Sequence, residues 1–228
     1  MSSSEEELSS NNHNHTQTSS SLEEEWLIPL DHQQRMQRRK DPDMEQAKLV
    51  YNTIEKCRRD TEYVLEHDVR TKKLLQAVQQ HCDSRVLSEG ILLKMCTNED
   101  FNEFSIRGEM SEPQKRIKLC CNRLVGIPEL RRTLIHELVH SFDHCRLRKK
   151  RQVGCNFIAC TEIRAYALGG QCDLPIDLAK FDGNRDECIK HWATMSVLRN
   201  CDNGREAVEK MFEKCHKDLA PFTFEEKP

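Results

Sequence analysis

Long apolar runs are missing from this 228-residue chain, and their absence limits the classes of protein to which it can belong. No stretch of about 18 apolar residues occurs, so no segment is predicted to cross a membrane as a helix, and any membrane association would be peripheral. The formal net charge is only −3, without the basic excess typical of nucleic-acid binding, so we predict no nucleic-acid partner. The length suits one domain with its own core, plus polar extensions.

Close cysteine pairs are also missing, although cysteines are plentiful. None of the 12 cysteines stands in a C-x-x-C pair, so a zinc site made of four thiolates is poorly supported. An even, scattered set favours disulfides formed in an oxidising compartment, with buried reduced thiols as the alternative. The acidic, Ser-rich start resembles neither a secretory signal nor an Arg-rich presequence. Together these features predict the mitochondrial intermembrane space.

Composition divides the chain into a polar start and a domain. Residues 1–25 contain almost no apolar side chain and are predicted to be disordered, and 26–42 to be a linker. We predict a domain over 43–222 and a short C-terminal tail over 223–228. Apolar periodicity predicts helices within the domain at about 44–67, 70–82, 128–147, 158–169, 187–199 and 205–217. Short strands bounded by Gly and Pro are expected at Ile91–Cys96, Phe101–Arg107 and Arg116–Cys121.

The helix predicted over 128–147 carries the most specific pattern in the chain, H-E-x-x-H at residues 136–140. Histidines four residues apart lie one turn above each other and can bind one zinc ion. A glutamate between them can act as general base on zinc-bound water and pass the proton to the leaving amine. The pattern predicts a metalloendopeptidase with one Zn²⁺ per chain, ligands His136 and His140, and catalytic Glu137. A buried stripe on another face of this helix is formed by Ile135, Leu138, Val139 and Phe142.

A third zinc ligand is needed, and three side chains are candidates. His144 continues the histidine series but is about 12 Å of helix rise from His136. Asp143, about 10.5 Å of rise from His136, fits better as a hydrogen-bond acceptor for a ligating histidine, yet it stays the alternative ligand. Glu162, on the next predicted helix, is favoured. Its neighbour Arg164 either orients carboxylates or is simply a solvated or salt-bridged residue.

Two further expectations concern the substrate. In zincins, the strand before the active-site helix lies at a sheet edge and binds the substrate backbone as an added strand, and Arg116–Cys121 stands at the right place. Tyr166 or His191 would supply an oxyanion donor, although a packed or surface position is the simpler explanation for His191. The expected fold class is α+β: a zincin-like metalloprotease domain with a small, mostly antiparallel sheet, the active-site helix and additional helices.

Three segments carry a resemblance to a known family. They are His136–Arg146 (HELVHSFDHCR), Ala159–Ala165 (ACTEIRA) and Gly170–Cys172 (GQC). Together they resemble the mitochondrial inner-membrane metalloproteases that assist ATP synthase assembly, a family whose animal members are also known as Ku-binding proteins. The resemblance extends from about Tyr51 to Phe222 and is much more specific than H-E-x-x-H alone.

The resemblance implies an enzyme on the intermembrane-space side of the mitochondrial inner membrane, peripherally bound, folded with disulfides and imported with oxidative-folding machinery. It implies a polypeptide substrate, the precursor of the membrane-embedded F0 subunit 6 (subunit a) of ATP synthase, and a separate chaperone role in assembly. It also implies zinc ligation by His136 and His140 and catalysis by Glu137. The alternative is a chaperone-like assembly factor or Ku-binding scaffold whose proteolysis is dispensable.

This sequence departs from the family's usual motifs at three places. Thr161 replaces a serine, and Gly169 and Gln171 replace a serine and a carboxylate. The basic stretch 149–154 stands where an Asp-Trp pair is usual. These departures concern substrate details and the membrane-facing surface rather than zinc chemistry.

Overall fold

A computed structural model describes residues 42–82, 87, 89–97, 107–111, 116–148 and 154–223. The predicted tail and linker over 1–42 lie outside the described residues except for Pro42, and the predicted C-terminal tail lies outside them except for Thr223. Both predicted domain boundaries therefore stay predictions. The residues from Pro42 onward group into one compact unit.

Helices dominate the described residues, with one small sheet before the long central helix. The chain order is α1 (Pro42–His67), α2 (Val69–His81), β1 (Ile91–Lys94), β2 (Gly108–Ser111), β3 (Arg116–Cys120), a 3₁₀ turn (Cys121–Arg123), α3 (Gly126–Arg148), α4 (Cys155–Gly169), α5 (Pro175–Leu178), a second 3₁₀ turn (Ala179–Phe181), α6 (Arg185–Val197) and α7 (Gly204–His216). The longer helices match the predicted ones within a few residues, whereas α5 and the 3₁₀ turns were not predicted.

Capping residues set several of these helix ends. Asp68 caps α2, because its carboxylate accepts a hydrogen bond from the backbone N–H of Thr71 at 2.8 Å. Gly170 ends α4 in the left-handed region with φ 80°, the backbone conformation in which glycine commonly ends a helix. The start of α4 lies earlier than its apolar pattern predicted, at Cys155, because the carbonyl of Gly154 already accepts the first helical hydrogen bonds.

The sheet is mixed, with strand order β1-β3-β2. β2 pairs antiparallel with β3, and Gly108 faces Leu119 in that register. β1 pairs parallel with β3, with Ile91 opposite Ile117, so the expected antiparallel pairing holds for one of the two described pairs. Residues 101–106 of one predicted strand lie outside the described residues. Gly108, which was expected to bound that strand, instead begins β2.

Helix α3 is the central element of the core. Its predicted apolar stripe is confirmed, since Ile135, Leu138, Val139 and Phe142 are all buried. One cluster of buried side chains packs α1, α2 and the sheet against α3, and a second cluster packs α4 with α6 and α7. Because α3 also packs directly on α4, it lies between the two clusters and is screened from water along most of its length.

All 12 cysteines are paired, which confirms the prediction of disulfides. Three bridges lie within the part that ends with α3: Cys57–Cys121, Cys82–Cys145 and Cys96–Cys120. Three others lie within the part that begins with α4: Cys155–Cys201, Cys160–Cys215 and Cys172–Cys188. Among the described residues, we find no helix with the length and apolarity to cross a membrane.

Candidate metal centre and active-site cleft

The two histidines of H-E-x-x-H face one another across a single turn of α3. Their rings meet edge to face with centroids 4.7 Å apart, and the two Nε2 atoms are separated by 3.1 Å. Burial lowers the pKa of His136 well below its usual value, and the charges of His140 and Arg199 act in the same direction. The ring of His136 is therefore held neutral, which is the form that binds metals.

Glu162 of α4 completes the cluster that α3 begins. Its Oε2 lies 3.6 Å from Nε2 of His136, and its Oε1 lies 3.5 Å from Nε2 of His140. One ligand atom from each residue fits within 4.8 Å of the others, and no second such group of His, Cys, Asp or Glu occurs in the described ranges. The structure thus brings the favoured third candidate to the histidines from a different helix.

The donor set of this cluster suits a zinc ion. Neighbouring ligands of a tetrahedral zinc ion are about 3.3 Å apart, because each bond is about 2.0–2.1 Å long. The separation between the two Nε2 atoms and the two separations between Nε2 and the oxygens of Glu162 lie near that value. In addition, Oε2 of Glu162 is buried without a hydrogen-bond partner among the described residues. A buried carboxylate oxygen without a partner is costly, and a cation at this point would satisfy it.

Asp143, the alternative ligand, is engaged elsewhere. Its Oδ2 accepts a hydrogen bond from Nε of Arg164 at 2.8 Å, and its Oδ1 accepts one from Nη2 of Arg146 at 3.1 Å. Both oxygens therefore face guanidinium groups, and Asp143 is not a member of the metal cluster. His144 lines the same cleft but is likewise outside the cluster, as its helix rise from His136 predicted.

Glu137 lies on α3 directly against strand β2. The backbone N–H of Met110 donates to its carboxylate, and a Cβ at Gly108 would stand 3.2 Å from Cγ of Glu137. Burial raises the pKa of Glu137 to about 7, with a further upward contribution from the charge of Glu162. The environment therefore allows this carboxyl group both to hold and to release a proton near neutral pH.

An open cleft of about 800 Å³ runs past the cluster. Strand β2 forms one wall, because its residues 108–110 line the cleft and β2 is at an edge of the described sheet. The expectation that Arg116–Cys121 would be this edge strand is wrong, because β3 lies in the middle of the sheet, between β1 and β2. The opposite wall comes from α4 and α6 and includes Phe157, Tyr166, Trp192 and Met195.

The two predicted oxyanion donors have different positions. The ring of Tyr166 packs edge to face on His136, with centroids 4.7 Å apart, and its hydroxyl lies 3.0 Å from Oγ of Ser196. His191 is exposed and packs beside Phe181 and Trp192 instead. Tyr166 therefore stays a candidate donor, whereas His191 has the packed surface position that was the simpler explanation.

Strand β2 is the part of the site that the sequence did not indicate. Its residues Gly108–Ser111 show no alternation of apolar and polar side chains, and Gly108 suggested a strand end. The one available signal was a glycine next to a short strand, which can mark close approach of a backbone.

Comparisons with known proteins agree with this geometry. Residues 55–223 match the Peptidase M76 family. The chain is 28% identical over 184 residues to the "Mitochondrial inner membrane protease ATP23 homolog" of Xenopus laevis, covering 77% of this chain and 76% of that protein. It is 29% identical over 180 residues to the Homo sapiens protein of the same name, covering 75% and 71%. It is 26% identical over 177 residues to the "Mitochondrial inner membrane protease atp23" of Aspergillus clavatus, covering 73% and 71%. No solved structure matches the chain.

Proposed function

Because the chain belongs to the Peptidase M76 family, we propose that it is a zinc-dependent endopeptidase. The observation that carries the proposal is the convergence of His136, His140 and Glu162 beside Glu137 in an open cleft. Two imidazole nitrogens and one carboxylate oxygen are a ligand set of catalytic zinc sites, which leave a position open for water or substrate.

One Zn²⁺ per chain would be held by His136, His140 and Glu162. When bound, zinc supplies Lewis acidity, which polarises a peptide carbonyl and makes a coordinated water more acidic. The neutral ring of His136 needs no proton release before it binds a metal, and Glu162 supplies a negative charge against the dication. Tyr166 packs on His136 and restricts the orientation of that ring.

Glu137 would move the proton in the reaction. Its carboxylate accepts a proton from the attacking water and then donates that proton to the amine nitrogen of the leaving peptide. The backbone of β2 borders this carboxylate, with the N–H of Met110 directed at it and Gly108 packed against its side chain. The intact set of His136, Glu137 and His140 favours catalysis over an assembly role with dispensable proteolysis, because a protein without proteolytic function could lose Glu137 without harm.

The substrate would be an extended polypeptide that pairs with strand β2. An edge strand offers backbone N–H and C=O groups to a segment laid beside it, and such pairing binds main chain without requiring a particular sequence. Because β2 also borders Glu137, a segment in this position would pass close to the catalytic carboxylate.

The expected location is the mitochondrial inner membrane, on the intermembrane-space side and peripherally bound. Two observations support it: the names of the relatives and the pairing of all 12 cysteines, which requires an oxidising compartment. The proposal that the substrate is the ATP synthase F0 subunit 6 precursor, with assistance to assembly and import through oxidative-folding machinery, follows from the family resemblance.

The replacement Glu137→Gln tests the proposed function. In purified oxidised protein, the variant should bind zinc as wild type does but cleave an unfolded polypeptide about a hundredfold to ten-thousandfold more slowly. The exposed residue Glu213 on α7 supplies the matched control, Glu213→Gln, which should cleave at the wild-type rate. In cells that carry either variant, precursor processing and ATP synthase assembly are measured side by side, which shows whether assembly continues when processing is lost. An unchanged cleavage rate in Glu137→Gln would rule out the catalytic assignment.

A further inference from the structure

The proposed metal site lies across the contact between helices α3 and α4. No disulfide crosses this contact, which is called the joint below. The 12 cysteines form one set of three bridges within residues 57–145 and another set of three within residues 155–215. His136 and His140 belong to the first part, through α3, and Glu162 belongs to the second, through α4. The relative position of these ligands therefore depends on how α4 packs on α3, and not on a covalent cross-link between the two parts.

A fully buried arginine lies at this joint. The side chain of Arg164 on α4 is 0% exposed, and its Nε donates to the equally buried Asp143 of α3 at 2.8 Å. Its Nη1 lies 2.8 Å from Oδ1 of Asp218, and its terminal nitrogens also donate to the backbone carbonyls of Asp218 and Ala220. One planar guanidinium thus joins α4, α3 and the segment after α7.

The carboxylate partners of Arg164 are themselves held by a second arginine. Nη2 of Arg146 on α3 donates to Asp143 at 3.1 Å and to Asp218 at 2.7 Å. The segment after α7 is also anchored by Phe222, which belongs to the core cluster around α3. The network therefore links α3, α4 and the segment after α7 by hydrogen bonds. Both arginines bind each of the two carboxylates, Asp143 and Asp218.

This network lies close in sequence to the metal cluster on both helices. Asp143 follows His140 on α3 by less than one turn, and Arg164 follows Glu162 on α4 by less than one turn. A small slide or rotation of α4 along α3 would displace Glu162 from the histidines and break the bonds of Arg164 together. Zinc bond lengths vary by only about 0.2 Å, so the site tolerates little displacement.

Stability alone does not account for a buried ion pair here. Replacement of such a pair by well-packed apolar side chains is often neutral or stabilising, because two charges must be removed from water to form it. What an arginine fork adds is direction, since its planar donors fix both distance and angle to each acceptor.

We propose that Arg164 is a positioning residue that sets Glu162 of α4 against His136 and His140 of α3 by binding Asp143 and the segment after α7. This inference rests on the proposed function, because it takes those three side chains as the metal ligands. It predicts that zinc affinity depends on Arg164, although this side chain does not touch the metal. It also predicts the reverse effect, in which bound zinc stabilises the contacts of Arg164.

The first test is zinc affinity of the full oxidised chain, measured by competition with a chelator. In the double variant Arg164→Met with Asp143→Asn, the ion pair is removed without leaving a bare carboxylate in the core. Zinc affinity should fall about tenfold to a hundredfold, as is typical for the loss of an outer partner of a metal ligand. The visible absorption of bound Co²⁺ should change as well, because it reports the ligand arrangement.

A matched control exists within the second part. Nε of Arg185 lies 2.7 Å from Asp173, and its Nη2 donates to the carbonyl of Ala167, so this pair links α6 to the end of α4 without crossing the joint. Arg185→Met with Asp173→Asn should therefore change zinc affinity less than about twofold. Arg164→Lys, which keeps a cation but not the fork, should have intermediate zinc affinity.

Hydrogen exchange of the wild-type chain provides a test that requires no variant. Zinc should slow exchange of the backbone N–H groups in the segment 218–222, whose residues Asp218 and Ala220 bind Arg164, and should leave the start of α1 unchanged. Failure of wild type to bind zinc would remove the proposed metal site itself. If wild type binds zinc and the Arg164 variants have the same zinc affinity and the same Co²⁺ spectrum, the positioning role of Arg164 is overturned while the metal site stands. The same holds if zinc does not slow hydrogen exchange at residues 218–222.

Discussion

Gly108 of strand β2 lies against Glu137 of helix α3 with no room for a side chain between them. A Cβ at position 108 would stand 3.2 Å from Cγ of Glu137 and 2.8 Å from Cγ2 of Thr133. This close approach brings the N–H of Met110 to the Glu137 carboxylate. The edge strand of the sheet thus fixes the proposed catalytic group, and the missing Cβ of a glycine permits it.

Gly108→Ala should impair catalysis without removing the metal. The added methyl group must displace β2, Thr133 or Glu137, because real Cβ atoms do not approach other atoms to 2.8 Å. A misplacement of up to about 1 Å at a reacting group costs up to about a hundredfold in rate, so we expect kcat to fall between about tenfold and a hundredfold. Steady-state cleavage kinetics and zinc stoichiometry measure the two effects separately.

Second-site rescue distinguishes this steric effect from general destabilisation. Thr133→Ser removes the methyl group that is the nearest neighbour of the new Cβ, so it should restore part of the activity lost in Gly108→Ala. Gly154→Ala supplies the control, since no heavy atom of the described residues lies within 4 Å of a Cβ at that extended residue. Full activity in Gly108→Ala would show that β2 does not position Glu137.

The helical parts of this site were predictable because the spacing of residues along one helix is enough to predict which side chains share a face. The spacing of Ile135, Leu138 and Val139 fixed the buried face of α3, and the histidines followed from the same periodicity. Helix rise alone correctly placed His144 outside the metal cluster. Glu162 was favoured as a carboxylate on the next predicted helix, and the structure brings it to the histidines.

The parts that depend on distant pairing were not predictable. β2 has four residues without alternation, and its place at the sheet edge follows from its antiparallel pairing with β3. The parallel pairing of β1 with β3 is similarly determined by tertiary contacts. The engagement of Asp143 by two arginines depends on how α3, α4 and the end of the chain pack together, which no local pattern encodes.

Zinc should stabilise the folded chain through His136, His140 and Glu162. A ligand that binds only the folded state adds about 2.7 kcal/mol to the free energy of unfolding at a hundredfold excess over Kd. His140→Ala should abolish this increment, and Glu162→Gln should reduce it. Urea unfolding of the oxidised protein with zinc and with chelator gives both values.

His191→Ala is the matched control for the metal prediction. His191 is exposed, lies on α6 and is outside the metal cluster, so the zinc-dependent increment should match that of wild type. A normal increment in the His140 variant would place the stabilising zinc elsewhere in the chain.

Asp68 should make a pH-dependent contribution to stability. Although its burial acts in the opposite direction, hydrogen bonds from Arg131 and Thr71 hold the pKa of Asp68 below its usual value of 3.8. A carboxylate whose pKa is lowered by folding stabilises the protein above the unfolded pKa, and this contribution is lost as pH falls through the folded pKa. Asp68→Asn keeps a capping oxygen but removes the charge that faces Arg131 and the helix N-terminus, so it should lower the free energy of unfolding at pH 7 by up to about 1 kcal/mol.

The difference between Asp68→Asn and wild type should shrink as pH falls below 3.8, because the wild-type side chain then also becomes neutral. Asp202→Asn, at an exposed position between α6 and α7, serves as the control and should unfold like wild type at both pH values. A difference that stays constant from pH 7 to pH 3 would mean that the charge of Asp68 contributes nothing.

The disulfides should differ in their contribution to stability according to the loops they close. Cys57–Cys121 spans 64 residues, whereas Cys172–Cys188 spans 16, and all four cysteines are buried. A bridge that closes a longer loop removes more entropy from the unfolded chain, although Cys96–Cys120 shortens the longer loop here. Replacement of both cysteines by alanine should thus cost about 1 kcal/mol more for Cys57–Cys121. Urea unfolding of the two double variants measures this difference, since the number of buried sulfurs removed is equal. An equal or larger loss for Cys172–Cys188 would contradict the loop-closure argument and would indicate that packing around the sulfurs dominates.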